Sequence, residues 1–217
     1  MQNLKMLLIE CSPRQANTTG GALGRRLVDA ITERSRRKVE LIERNIGAYP
    51  LPPISADYAE AALQPPELAK LRKDEALAAS DELIAELKSA DVLVIASPVH
   101  NFTIPSSLKL WIDLVVRNNV TFTNTPEGKK GLLRNLPTLV AVASGGAMFR
   151  EPSKQPDFFR PYLDAALGVI GVKDISYVPA TGLAFCEWPY EQVDSSADAW
   201  IASSLSAFVQ GFLKEAA

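Results

Sequence analysis

A three-layer α/β architecture, a doubly wound sheet of five parallel strands with helices on both faces, is the fold class the sequence predicts. Two observations carry that expectation. Short apolar runs alternate five times with amphipathic stretches along the 217 residues, which is the order of βα units. The runs are apolar throughout, as strands covered on both faces are, rather than apolar at every second residue. The length suits one domain over residues 1–217 with a sizeable core.

Leu4 to Ile9 is the first apolar run, and CSPRQANTTGG, rich in turn and N-cap formers, ends it. Leu23, Leu27, Ala30 and Ile31 then recur at helical spacing. Lys38 to Ile42 alternates as a second strand. Asn45 to Pro66 holds Pro50, Pro52, Pro53, Pro65 and Pro66 with little periodicity, which predicts a long irregular excursion of the kind that often serves function. Helix formers dominate Glu67 to Lys88, with Ser80 placed to cap a second helical piece. Asp91 to Ser97 is a β-branched strand, and Ser106 to Arg117 a helix with Leu108, Trp111, Ile112 and Val115 on one face. Pro137 to Ala143 is a strand, Phe159 to Ile170 a helix, Ile175 to Val178 a short strand, and Tyr190 to Leu213 a closing helix.

Bulk properties narrow the function classes. Hydrophobic residues make up 47% and charged residues 22%, with a formal net charge of −2, as in an ordinary globular protein. Neutralising nucleic-acid phosphates needs a concentrated basic face. The one basic cluster, Arg34, Arg36, Arg37 and Lys38, falls at a helix end, where it complements the dipole; no nucleic acid is expected. Cys11, Cys186 and the single histidine, His100, are too few for a zinc site or a disulfide framework, so no metal is expected. No apolar run approaches the roughly 20 residues of a membrane helix, and the apolar start breaks at Glu10, short of a signal sequence. The expectation is a cytoplasmic protein that binds no membrane.

In such sheets ligands bind at the carboxyl ends of the strands, and three unusual loops follow strands there. In Cys11–Gly21, backbone N–H groups at a helix start and the polar atoms of Ser12, Asn17, Thr18 and Thr19 suit a phosphate, while Gly20 and Gly21 allow close approach. The plainer reading is a capped helix. The loop argues against a Walker A site because no lysine precedes the Ser/Thr; the dinucleotide fingerprint is broken at Thr19, which weakens that reading without excluding it, since Glu40 or Glu43 could serve as its later acidic residue. In Pro98–Pro105, the amide of Asn101 matches the carbonyl and imide edge of a heteroaromatic ring, and Phe102 can cover a ring face. His100 has no carboxylate partner in the sequence and reads as a pocket wall or hydrogen-bond donor rather than a general base. In Ser144–Phe149, Gly145 and Gly146 permit backbone approach to a flat ligand and Ser144 adds a hydroxyl; a tight turn would use the same residues. Together the loops describe one site, with phosphate at the first and a ring between the other two.

These residues resemble the FMN-dependent NAD(P)H azoreductases, or quinone reductases, of the flavodoxin-like fold. The resemblance rests on CSPR with NTTGGALGRRL, on SPVHNFTIPSSLKLWIDLVVRNNVTF, on the SGG after the fourth strand and on PYLDAALGVIGV, and it spans nearly the whole chain. It implies a strand order of 2-1-3-4-5. It implies that Ser12, Thr18, Thr19 and Gly20 bind the FMN phosphate, and that Pro98, Val99, His100, Asn101 and Phe102 flank the isoalloxazine with Ser144, Gly145 and Gly146 on its other edge. It further implies a homodimer with its FMN sites at the subunit interface, NADH or NADPH as co-substrate, and a small quinone or azo compound as acceptor. The segments Thr123–Lys130 and Met148–Asp157 are expected to vary with substrate. With bound flavin carrying the hydride, no acid–base side chain is required, and none stands out. The rival readings are a flavodoxin-like one-electron carrier docking to protein partners, a cofactor-free interaction domain, and an NAD-dependent dehydrogenase.

Overall fold

Leu4–Glu10 (β1) buries five of its seven residues, and the alternation within it explains why. Leu7 and Ile9 point into one hydrophobic core and Leu4, Met6 and Leu8 into another, so both faces of the strand must be apolar. The computed structural model describes residues 3–14, 18–64, 75–149, 152–153, 155–183 and 198–215. Parallel to β1 run Val39–Asn45 (β2) on one side and Val92–Pro98 (β3) on the other, followed by Thr138–Ser144 (β6) and Ile175–Thr181 (β7). The order β2-β1-β3-β6-β7 is 2-1-3-4-5 among the strands of the main sheet. Each fully buried Leu, Ile or Val in these strands contributes about 1.5–3 kcal/mol.

Helices cover both faces. Thr19–Ser35 (α1) and Leu205–Glu215 (α6) lie on one, through Leu23, Leu27, Ile31, Leu205 and Val209. On the other lie Ala56–Leu63 (α2), Ala78–Ser89 (α3), Ser106–Val115 (α4) and Phe159–Ile170 (α5), through Tyr58, Leu83, Leu108, Trp111, Phe159 and Leu163. Thr18 caps α1: it is extended (φ −84°, ψ 139°), and its hydroxyl oxygen accepts from the Gly21 N–H at 3.0 Å. A stripe of small residues seats the helix on the sheet, for a Cβ on Gly24 would come within 2.8 Å of Ala96 Cβ.

Four details differ from the sequence-based expectations. The Asn45–Pro66 excursion contains α2, whose N-cap Ser55 accepts from Tyr58 N at 3.1 Å. Only Tyr58 and Ala61 are buried in it, too few to print a helical period. Ser80 does not cap a helix. It is fully buried inside α3, donating to Leu114 O at 2.6 Å and accepting from Arg117 Nη1 at 2.9 Å. The segment Thr123–Lys130 forms most of an antiparallel hairpin, Phe122–Thr125 (β4) with Gly128–Gly131 (β5), turned at Pro126 and Glu127, with Gly128 at φ 122° opening the return strand. Lys129 lies 5.0 Å over the Phe122 ring there. The closing helix is broken at Ser204, and the first part of Tyr190–Leu213, the residues 65–74 and Cys186 lie outside the described residues. Among the described residues no helix is long and apolar enough to cross a membrane.

Candidate functional site

The sheet order reverses between β1 and β3, and the loops leaving β1, β3 and β6 meet above that point. The ladder runs on past the strand ends to fix their positions. Cys11 N donates to Ala96 O at 2.9 Å and Val99 N to Ala143 O at 2.8 Å. Between the loops opens a cleft of about 340 Å3.

The first loop gives the cleft Ser12, Thr18, Thr19 and Gly20. Asn17 lies outside the described residues. The first N–H groups of α1 have no intrahelical partners and carry the positive end of its dipole. No acidic residue occupies its first turn. The Glu10 carboxylate lies against Gly21 and is held by Arg25 at 3.1 Å and by Asn45 Nδ2 at 3.0 Å. Arg14 also lines the cleft, and among the described residues it makes no ion pair, whereas Arg25, Arg26, Arg44, Arg117, Arg134 and Arg160 all do. Sequence reasoning missed Arg14. The signal was present, since it is the only charged residue in CSPRQANTTGG. A helix terminus, hydroxyls and a guanidinium with no ion pair among the described residues are groups chemically suited to an anion.

The second loop gives Pro98, Val99 and His100. Beyond them the chain reverses tightly. His100 N donates to Thr103 O at 2.9 Å and Thr103 N to His100 O at 3.0 Å, with Asn101 at φ 48° and Phe102 at φ 69°. Both central residues are left-handed, the φ signs of a type I′ turn. Asn tolerates that region; Phe does so only at a cost. The turn is anchored by Phe158 N donating to Phe102 O at 3.2 Å and Thr103 Oγ1 donating to Phe158 O at 3.3 Å. Asn101 and Phe102 are exposed at its tip and do not line the cleft.

From the third loop Gly145 lines the cleft, together with Ala143 at the end of β6. Ser144 is buried in the last position of β6, and Gly146 packs against Gln155 while its carbonyl accepts from Gly182 N at 2.9 Å; neither reaches the wall. Leu183, another residue absent from the sequence-based set, closes this side. Behind the cleft, burial pushes the Cys11 thiol far above its ordinary pKa, so no thiolate is available there. The cleft brings Arg14, the hydroxyls and the α1 terminus together with apolar groups from Pro98, Val99, Ala143 and Leu183, and among the described residues that line it there is no paired acid and base. Among the described residues no three His, Cys, Asp or Glu side chains group to hold a metal.

Residues 4–203 match the family model described as having a flavodoxin-like fold. An FMN-dependent NADH:quinone oxidoreductase from Pseudomonas fluorescens is 45% identical over 186 residues, covering 85% of this chain and 86% of that protein. A protein of the same name from Burkholderia lata is 42% identical over 85% and 87% of the two chains. Among solved structures, an FMN-dependent NADH-azoreductase from Bacillus anthracis, in complex with FMN, superposes with a TM-score of 0.77 at 24% identity, over 95% of this chain and 99% of the other. At that identity the likeness is one of fold.

Proposed function

The chain belongs to the flavodoxin-like fold family, and on that premise we propose that it is an FMN-dependent NAD(P)H oxidoreductase that reduces quinones or azo compounds. The observation that carries this reading is the meeting, in one cleft at the strand-order reversal, of Arg14, hydroxyls and a helix terminus with apolar walls, in a chain 45% identical to an FMN-dependent NADH:quinone oxidoreductase. The residues present fit the cofactor. Ser12, Thr18, Thr19, the N–H groups around Gly20, and Arg14 suit its phosphate; Asn17 completes the proposed set. Pro98, Val99 and His100 suit one side of its ring and Gly145 the other, with Asn101, Phe102, Ser144 and Gly146 assigned supporting places at the edges.

The chemistry that bound FMN supplies is two-electron: a hydride taken from NADH or NADPH and delivered to the acceptor, in turn. The chain's own part is to orient and exclude water. The α1 terminus and Arg14 would hold the phosphate end of the cofactor. The left-handed turn, whose tip lies at the rim and not on the cleft wall, would offer its backbone and the Asn101 amide to the polar edge of the bound ring. The apolar lining of Pro98, Val99, Ala143 and Leu183 would keep solvent away from the bound ring.

The molecule works as a homodimer in this reading, with the cleft at the interface. Phe158, 59% exposed, and Phe102, 44% exposed, are bonded neighbours beside the mouth, an apolar patch that a second copy would cover. The compartment proposed is the cytoplasm. The deciding experiment is the visible spectrum of the purified protein. A flavin band bleached by NADH without a partner reductase, and restored by a quinone, is the expected result. A protein that stays colourless after incubation with FMN overturns the reading; a flavin band that only a separate reductase can bleach replaces it with an electron carrier.

A further inference from the structure

A second cavity of about 260 Å3 lies against the first, and Pro13 and His100 line both. Its floor holds Cys11 and Ile46, exposed by 0% and 1%. Pro50 and Leu51, from the segment after β2, form one wall, and Pro105 and Leu110 of α4 and its approach form another. Several polar groups of the frame hold it rigid. Ile46 N and Gly47 N both donate to Glu10 O, at 2.9 and 3.1 Å, and Ser107 Oγ donates to Cys11 O at 2.9 Å. Gly47 fits only because it lacks a side chain, since a Cβ there would lie 2.0 Å from Ser12 O.

The two cavities differ in charge. Arg14 and the α1 terminus face the first, whereas among the described residues no Lys, Arg, Asp or Glu lines the second. A phosphate or carboxylate has no counter-charge there and would lose its hydration unrewarded. An apolar group gains by entering, and the shared wall at His100 makes the cleft the adjoining space.

We propose that this second cavity is a subsite for the electron acceptor, taking the aromatic ring or compact hydrocarbon substituent that projects from the group being reduced, with His100 at the threshold. The proposal rests on the oxidoreductase reading. It states what that reading leaves open: acceptors carrying an apolar substituent, such as the distal ring of an azo compound, are preferred to bare ones.

Leu110 lines only the second cavity, so its size can be changed without touching the cleft. The NADH-dependent reduction of 1,4-benzoquinone and of phenyl-1,4-benzoquinone by the FMN-loaded protein compares acceptors with the same reactive ring. With Leu110→Trp filling the cavity, KM for the phenyl compound is expected to rise about tenfold, within the range a filled or emptied apolar pocket commands. Both kcat values and KM for 1,4-benzoquinone should stay within about twofold. Leu110→Ala, which removes a contact and blocks nothing, should raise KM for the phenyl compound alone by a few-fold, and it carries the test should the tryptophan variant not fold. KM values that move together for both quinones, or not at all, overturn the subsite. Conversion of a dimer to a monomer by Leu110→Trp also overturns it, because the cavity would then be a subunit contact. A wild-type protein with no flavin band, or with no NADH-driven reduction of 1,4-benzoquinone, instead overturns the oxidoreductase reading itself.

Discussion

Asn101 and Phe102 sit side by side with φ of 48° and 69°, a conformation that costs a side chain such as Phe about 1–3 kcal/mol. The turn's two backbone bonds and its tether to Phe158 hold it there. Changing Phe102→Gly should therefore raise the chemical-denaturation midpoint, by roughly 1 kcal/mol in stability, while lowering NADH-dependent quinone reduction. Asn101→Ala should lose stability by about 1 kcal/mol and release FMN more readily in dialysis, whereas Asn101→Gly should keep the stability and still release it. That pattern separates the amide's contact from the turn's shape, and unchanged FMN retention in both variants removes the contact. Arg14 yields a second residue-scale prediction. Arg14→Ala should weaken FMN binding, read by flavin fluorescence quenching, by about tenfold or more, as loss of a charge-assisted hydrogen bond does. Riboflavin, which lacks the phosphate, should bind both proteins alike. The sequence shows the amide and the aromatic but not their left-handed backbone, because the usual signal for such a turn is Asn-Gly and Phe fills the glycine's place.

Among the elements, α1 carries the phosphate site proposed above, and how closely it seats on the sheet is set by Gly24 against Ala96. In Gly24→Ala the higher helix propensity, worth about 1 kcal/mol, opposes a Cβ forced to 2.8 Å from another. Overpacking of that kind costs about 1–3 kcal/mol, so the melting temperature should fall, and FMN affinity with it as the helix is lifted from β3. A melting temperature at or above that of the wild type would mean the sheet yields. Strands and long helices were legible because burial on both sheet faces writes continuous apolar runs, as in VLVIA, and α5 was legible to the residue. The elements that escaped are those with few buried residues. Helix α2 has Tyr58 and Ala61, and the β4–β5 hairpin buries Phe122 while exposing its lysines. Ser80 was misread because SDEL looks the same at a helix start and one turn in. The carbonyl of Leu114, on another element, decides it.

For the whole molecule, alkaline pH exposes a weakness built into the cores. Burial raises the pKa of the Cys11 thiol and, foremost among their causes, those of the Tyr58, Tyr162 and Tyr177 phenols; Tyr177 is raised further by donating to Asp164 at 2.6 Å. The folded state keeps protons that the unfolded chain releases, so stability is full below the unfolded values and falls as pH climbs past them, about 8.5 for the thiol and about 10 for the phenols. In urea titrations between about pH 9 and 11, Cys11→Ala should flatten the decline by about 1.4 kcal/mol per pH unit; parallel declines would place the thiol's proton loss elsewhere. A different consequence follows from the sheet order. The cleft's three loops hang from β1, β3 and β6, whose pairings join residues as remote as Ile9 with Ile95 and Ile95 with Val140. Parallel pairing over such separations is slow to nucleate, and no contiguous fragment short of β6 owns all three loops. Flavin capture during refolding is then a clock that strikes only when the centre of the sheet has closed.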